Sequence, residues 1–223
     1  MRHSLNRYQL TWIVLAGLVS IPLCIKFADR PIAYWVHDHT YGALIFLAMA
    51  GIAQPVLQIA SLGVIGAAIA AGCGWRPGPR GRVLLAAAVA AILAIAFKDQ
   101  LKFCFGRTWP ESWLGNNPSF IRDHVFGFHP FHGGRGYQSF PSGHTTAITA
   151  PMMVLWVCWP RGRILYAAAI LAVMIGLLAD NFHFLSDIIG GFLVGLLSAA
   201  AVLKLARAVE TPLNRGRPDA PGG

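Results

Sequence analysis

Pro141-Ser142-Gly143-His144-Thr145, followed by an apolar run to Trp159, is the stretch from which the rest of this chain is read. Ser142 can cap a helix, and Gly143 lets the backbone turn closely into the first turn, so a helix is predicted to start here. A helix N-terminus offers unpaired N–H groups and partial positive charge, and so binds phosphate. His144 falls in that first turn, where an imidazole can move a proton near neutral pH. Taken alone, these residues also suit an ordinary capped membrane helix with a histidine at the interface. Lys102 and Arg107 upstream, with His183 and Asp187 downstream, decide between the two readings.

Outward from this stretch the chain is greasy. Of its 223 residues, 56% are apolar and only 12% charged, outside the range of ordinary soluble domains. The apolar residues come in blocks long enough to cross a bilayer, for which about 20 residues suffice. The formal charge of +9 sits mostly in short loops between the blocks, where it orients a membrane protein. Aromatic residues are not interleaved with a basic face, which argues against nucleic acid as a partner. Cys24, Cys73, Cys104 and Cys158 lie in or beside apolar blocks without metal-ligand spacing and read as packing residues, with a Cys24–Cys104 bridge left open.

The predicted fold is all-α, a bundle of six membrane spans. The first, about 10–27, follows a short basic start and reads as uncleaved, since no small-x-small site follows it. Residues 31–51 mix Trp35, His37, His39 and Tyr41 with apolar residues and are expected to lie at the interface. Further spans are placed at about 55–75, 83–105, 141–159, 164–179 and 185–206. A long polar loop, 106–140, separates spans three and four, and a loop of that length is usually functional. Residues 1–208 form the membrane domain in this reading, and 209–223 a disordered cytoplasmic tail. Six spans put both termini on one side, with Arg76, Arg80, Arg82, Arg161 and Arg163, which makes that side cytoplasmic. Seven of the eight histidines fall on the other side, so the chemistry is expected to face outward from the cell's inner (cytoplasmic) membrane.

On the outer face three helix ends meet. The third span brings Lys98 and Lys102, one turn apart, with Arg107 beyond; Lys98 is read as a snorkelling anchor. The fourth brings Ser142, Gly143 and His144. The last connection brings His183 and, four residues on, Asp187. A carboxylate bonded to one imidazole nitrogen fixes the tautomer and frees the other nitrogen to attack or to take a proton. Two histidines, a carboxylate, cations and a helix N-terminus together suit phosphoryl transfer without a metal or other cofactor.

These residues carry a resemblance. Lys102 with Phe105-Gly106-Arg107 and Pro110, then Pro141-Ser142-Gly143-His144, then His183-x-x-x-Asp187, resemble the three-part signature of the type 2 phosphatidic acid phosphatases, integral-membrane lipid phosphate phosphatases. The order, the spacing and the six-span layout agree over most of the chain. The resemblance implies hydrolysis of the phosphate or diphosphate head of a membrane lipid, such as a polyprenyl diphosphate or phosphatidate, through a phosphohistidine. It makes His183 the nucleophile, Asp187 its orienting partner and His144 the general acid, with Lys102, Arg107, Ser142 and Gly143 on the phosphate. Two family arginines are missing: Trp109 stands where Arg-Pro is usual, and Gly176-Leu177 where Ser-Arg is usual. Arg107 and the loop residue Arg135 are the expected replacements, and Trp109 an interface anchor.

Rival readings use the same residues differently. A lipid phosphoryl-group transferase would replace water by an acceptor alcohol in the same pocket. A metal-binding protein would use His124, His129 and His132 with His144 and His183, but the spacing matches no tight ligand motif, and Lys102 and Arg107 would repel a cation. A transporter would need polar residues at mid-membrane, whereas here they gather at one face, with Gln54 and Gln58 the main exceptions.

Overall fold

The computed structural model describes residues 6–113 and 115–215, and among them every regular element is a helix or helical turn. Helix α1 (Arg7–Leu23) starts at Asn6, whose side chain accepts from the Tyr8 N–H, and contains Pro22 near its end. Proline has no N–H to give to the ladder, and the next five residues, Cys24–Ala28, form a wider π turn. Such a turn shifts the helical phase. The residue that follows it, Asp29, opens α2 (Asp29–His39) and is buried.

Helices α3 (Leu44–Gly51) and α4 (Ala53–Gly72) come next, then α5 (Pro79–Phe105), α6 (Phe120–Asp123), α7 (Gly143–Cys158), α8 (Arg163–Ala179) and α9 (Leu185–Arg215). The stretch 31–51, expected from sequence to lie at the interface, is divided between two long helical runs, Arg7–His39 and Leu44–Gly72. The break between them is tied to the end of α8: Thr40 Oγ1 donates to the Ala179 carbonyl at 2.7 Å, and the Gly42 N–H to Asp180 Oδ1 at 2.9 Å. At the other end α9 continues to Arg215, past the boundary read at 208; the rest of the expected tail lies outside the described residues.

Among the described residues, five runs can cross a membrane by length and composition: Arg7–His39, Leu44–Gly72, Pro79–Phe105, Pro160–Ala179 and Leu185–Val209. Helix α7 has 16 residues, about 24 Å at 1.5 Å per residue. Leu15, Ile59, Leu62 and Leu165 point outward from α1, α4 and α8, a surface costly in water and at ease among acyl chains. Among the described residues no cysteine forms a disulfide, so the Cys24–Cys104 bridge is not made.

Inside, α5, α7 and α9 pack around one another. Ala86, Ala87, Ala90 and Ala94 of α5 meet Ala150, Val154 and Val157 of α7 and Ala199, Val202 and Leu203 of α9. Small residues matter here because lipid gives helices no hydrophobic reason to associate; close packing has to supply it. Helix α9 comes nearest to α7 along Gly191 and Gly195. A Cβ on Gly191 would lie 2.5 Å from the Ser142 carbonyl oxygen, and one on Gly195 would lie 2.7 Å from Thr149 Cβ. Two missing methyl groups thus bring the start of α7 against the start of α9.

Backbone hydrogen bonds tie parts of the long loop together. Gly106 ends α5 at φ +57°, a conformation costly for side-chain-bearing residues, and a Cβ there would strike the His129 carbonyl oxygen. Beyond it, His129 N–H donates to Gly106 O (2.8 Å), Phe120 N–H to Trp109 O (2.9 Å) and Ser139 N–H to Arg107 O (3.0 Å). Residues 106–109 are thereby held against both outgoing and returning arms of the loop.

Candidate active site

Ser142 caps α7: its backbone is extended, its Oγ accepts from the Thr145 N–H at 3.4 Å, and its own N–H donates to the Asp187 carbonyl at 3.0 Å. The last bond ties the N-terminus of α7 to the first turn of α9. Ser142 itself is fully buried, with its hydroxyl bonded to Thr145 Oγ1. The next two residues, Gly143 and His144, line a cavity of about 480 Å³.

His183 lines the same cavity. Its Nδ1 lies 3.6 Å from Asp187 Oδ2 and 3.4 Å from Ser139 Oγ, whose hydroxyl donates to the same carboxylate oxygen at 2.6 Å. Ser139 therefore bridges the pair. The Phe184 N–H also donates to Asp187, at 3.1 Å. With Nδ1 turned to these partners, Nε2 is the nitrogen left for chemistry. Burial lowers the pKa of His183, and the neighbouring Asp187 carboxylate works against that shift. The imidazole is held neutral near pH 7, as a nucleophile or base needs to be.

Behind Asp187 lies a dry ion cluster. Arg107 donates from Nη1 to Asp187 and, at 2.6 Å, to Ser186 Oγ, and from Nη2 to Asp29 at 2.8 Å. Asp29 also accepts from the Ser186 N–H (3.0 Å) and hydroxyl (2.5 Å). The guanidinium is walled by the rings of Phe126, Phe128 and Phe184, 4.4–5.3 Å from their centroids. Arg107, Asp29 and Asp187 are all buried.

The sequence predicts Arg107 on the phosphate; the structure turns it the other way. Its side-chain donors are drawn to two carboxylates, and it is absent from the cavity wall. Arg135 is exposed and also outside the wall, where its carbonyl accepts from Trp109 Nε1 at 2.8 Å. Two other residues come in. Trp109, read as an interface anchor, lines the cavity with its ring 5.1 Å from that of His183 and 5.3 Å from the Lys102 ammonium. Lys98, read as a snorkelling anchor, lines it too, beside Lys102. Lys102 is nearly buried and donates to the Gln138 carbonyl. At the second missing arginine, Leu177 is fully buried in apolar packing with Ile148, Ile170 and Ile188. Gly176 beside it lets α8 seat on α3, where a Cβ would lie 2.5 Å from the Ala50 nitrogen.

Of the loop histidines, His129 and His132 pack against Tyr137. Among the described residues no three His, Cys, Asp or Glu side chains gather as a metal ligand set. Asp29, Ser139 and Ser186 escaped the sequence reading. Asp29 had one signal, a carboxylate beside an apolar block, which is expensive unless it has a partner.

A family model described as the PAP2 superfamily matches residues 83–210, more than half of the chain. The chain belongs to the PAP2 superfamily. Its Lys102, Pro141-Ser142-Gly143-His144 and His183/Asp187 lie within the matched stretch, whereas Asp29 comes from outside it. A lipid A 1-phosphatase of Rhizobium etli is 32% identical over 95 residues, which is 43% of this chain and 38% of that protein. The lipid A 1-phosphatase of Rhizobium johnstonii is equally similar, with 36% of it covered. The matched stretch thus spans less than two-fifths of these relatives' length. In fold, the chain is similar to the crystal structure of a transmembrane PAP2-type phosphatidylglycerolphosphate phosphatase from Bacillus subtilis. The TM-score is 0.52 at 19% identity, over 94% of this chain and 100% of that one. The all-helical fold is therefore the membrane fold of the superfamily.

Proposed function

We propose that this PAP2 protein is a membrane phosphatase that removes phosphate from a lipid headgroup through a phosphohistidine. One observation carries the reading: His183, backed by Asp187 and Ser139, faces the cavity that also holds Gly143, His144 and Lys102. In the first step His183 Nε2 attacks phosphorus, an N–P bond forms and the ester P–O bond breaks. His144 gives its proton to the leaving oxygen. Water then attacks the phosphohistidine, returns its proton to His144 and frees phosphate. Throughout, the Lys102 ammonium and the first N–H groups of α7 counter the charge on the phosphoryl oxygens.

That positive charge is built into the chain, so the reaction is expected to survive exhaustive chelation; loss restored by zinc or magnesium would revive metal catalysis. The decisive experiment is phosphate release by the purified protein from a panel of lipid phosphates. The panel includes the lipid A and phosphatidylglycerolphosphate named for the relatives, with phosphatidate and a polyprenyl diphosphate. Labelled substrate should leave an acid-labile, base-stable adduct on the wild type. Adduct formation on His183→Ala would overturn the assignment.

The membrane reading keeps six crossings, with α7 as the short fourth one beside the five long runs. Both termini and the 76–82 turn then face the cytoplasm, and the cavity opens outward from the cytoplasmic membrane. A single cysteine at Gly134, in a background without other cysteines, should react with an impermeant reagent from outside, and one at Gly78 should not. The reverse pattern would put the chemistry in the cytoplasm.

A further inference from the structure

We propose that Lys98 is a second cationic ligand of the phosphoryl group, and that Lys98 and Lys102 together suit the cavity to phosphomonoesters over diphosphates. This deepens the phosphatase reading above and rests on it. The two lysines stand four residues apart on α5, and both line the cavity with Gly143, His144 and His183. A Cβ on Gly143 would lie 3.6 Å from Lys98 Nζ, so the ammonium sits against the first turn of α7. It therefore adds its charge where the helix N–H groups emerge.

The resting partner of Lys98 is Asp99, at 2.5 Å, whose side chain is 56% exposed while that of Lys98 is 13% exposed. A pair so open on the carboxylate side is screened and weak. A phosphoryl dianion in the cavity can draw the ammonium away from it. A transferring phosphoryl group spreads charge over three oxygens and needs several donors. Trp109 and Leu177 supply no cation, and Arg107 is committed to Asp29 and Asp187. Lys98 fills that deficit.

Among the described residues, the two lysines are the only formally charged side chains that line the cavity. Apart from the lysines and histidines the wall is uncharged and includes Gln54, Leu57, Trp113, Asn117 and Phe182. A second phosphoryl group would have to rest against amides and apolar rings, and charge set there without a partner is costly.

The test uses the full chain in nanodiscs with geranylgeranyl monophosphate and geranylgeranyl diphosphate, which differ only in the head. Initial phosphate release should favour the monophosphate by roughly tenfold or more in kcat/KM, one lost charge-assisted contact's worth. Lys98→Gln should raise KM for the monophosphate, and the Kd of inorganic phosphate by calorimetry, about tenfold, with kcat changed less. Lys98→Arg should restore most of the affinity. Equal or faster turnover of the diphosphate overturns the proposal, as does a folded Lys98→Gln protein with unchanged KM and Kd. If Lys98→Gln does not fold, the wild type's relative affinity for phosphate and pyrophosphate and the Lys98→Arg variant still decide. Phosphate binding that depends on Lys98, without release from any lipid, would sink the hydrolase reading and keep this one. Lipid hydrolysis with Lys98-independent binding would do the reverse.

Discussion

Two cationic regions flank His183, and they differ in what answers their charge. On the dry side, Arg107 is fully buried and bonded to Asp29, Asp187 and Ser186. On the cavity side, Lys98 and Lys102 have one exposed carboxylate and one backbone carbonyl between them. A guanidinium with planar, divergent donors can join two carboxylates at once. Such a pair of partners leaves it little attraction for a third anion. The lysines keep theirs. Sequence distance to the Pro-Ser-Gly-His stretch says nothing about this; what matters is which carboxylates the fold brings within reach. The dry cluster holds Asp187, 3.6 Å from the His183 ring, while the two lysines line the cavity.

The comparison breaks most directly at Arg107. Arg107→Ala would leave two buried carboxylates facing one another, and losing one member of a buried ion cluster costs about 3–5 kcal/mol. We expect a large fall in thermal stability in detergent, with Arg107→Lys partly rescuing it. A variant that melts like the wild type but shows a raised KM would return Arg107 to the phosphate.

A smaller effect is expected at the far end of the same cluster. Asp29→Asn keeps an acceptor for Ser186 but removes the charge that balances Arg107 against Asp187. Arg107 should then pull harder on Asp187, loosening the orientation of His183. The expected result is roughly a tenfold loss in kcat, given the sensitivity of catalysis to small misplacement, with KM nearly unchanged. A rise in KM alone would mean that Asp29 serves the cavity rather than the nucleophile.

The third prediction concerns pH. His183 is shifted below the ordinary imidazole value of about 6.5, first by burial, with Lys102 and Arg107 adding to the shift and Asp187 opposing it. Attack requires the neutral ring, so protonation removes activity only as pH falls through this lowered pKa. The acid limb of kcat/KM should therefore lie below pH 6.5. Replacing Asp187 by Asn removes the opposing negative charge and should move the remaining limb further down. A limb at or above the free-imidazole value would assign it to another group.

The mildest change is Trp109→Phe. It keeps an aromatic wall beside His183 and Lys102 but loses the indole bond to the Arg135 carbonyl. About a threefold loss of turnover is expected, in line with one neutral hydrogen bond of ~1 kcal/mol or less. A loss of two orders of magnitude would make the tryptophan a direct substrate contact.

Much of this protein was legible from residues alone, because the signals were local. Apolar block length shows membrane helices, since the bilayer demands runs of a given length. Ser142 announces the start of α7 because capping needs only the few residues beside it. His183 and Asp187 are four residues apart across the start of α9, His183 in the turn before the helix and Asp187 in its first turn, so they are near in sequence as well as in space. Residue type and short spacing are sufficient for such features. Even there the first span departed from its expected end near Phe27, because the helix continues through the π turn at Cys24–Ala28 into α2.

By itself, then, the sequence determined the helical class and the family signature, and named the candidate acid, base and cationic residues. Tertiary structure decided which way each cation faces. Asp29 lies 78 residues from Arg107, and Asp187 a further 80 beyond it. Their meeting depends on the π turn in the first helix, the turn at Gly106 and the close seat of α9 on α7 at Gly191 and Gly195. A charge takes its role from its nearest counter-charge in a dry environment, and over such separations only the packed helices bring one there.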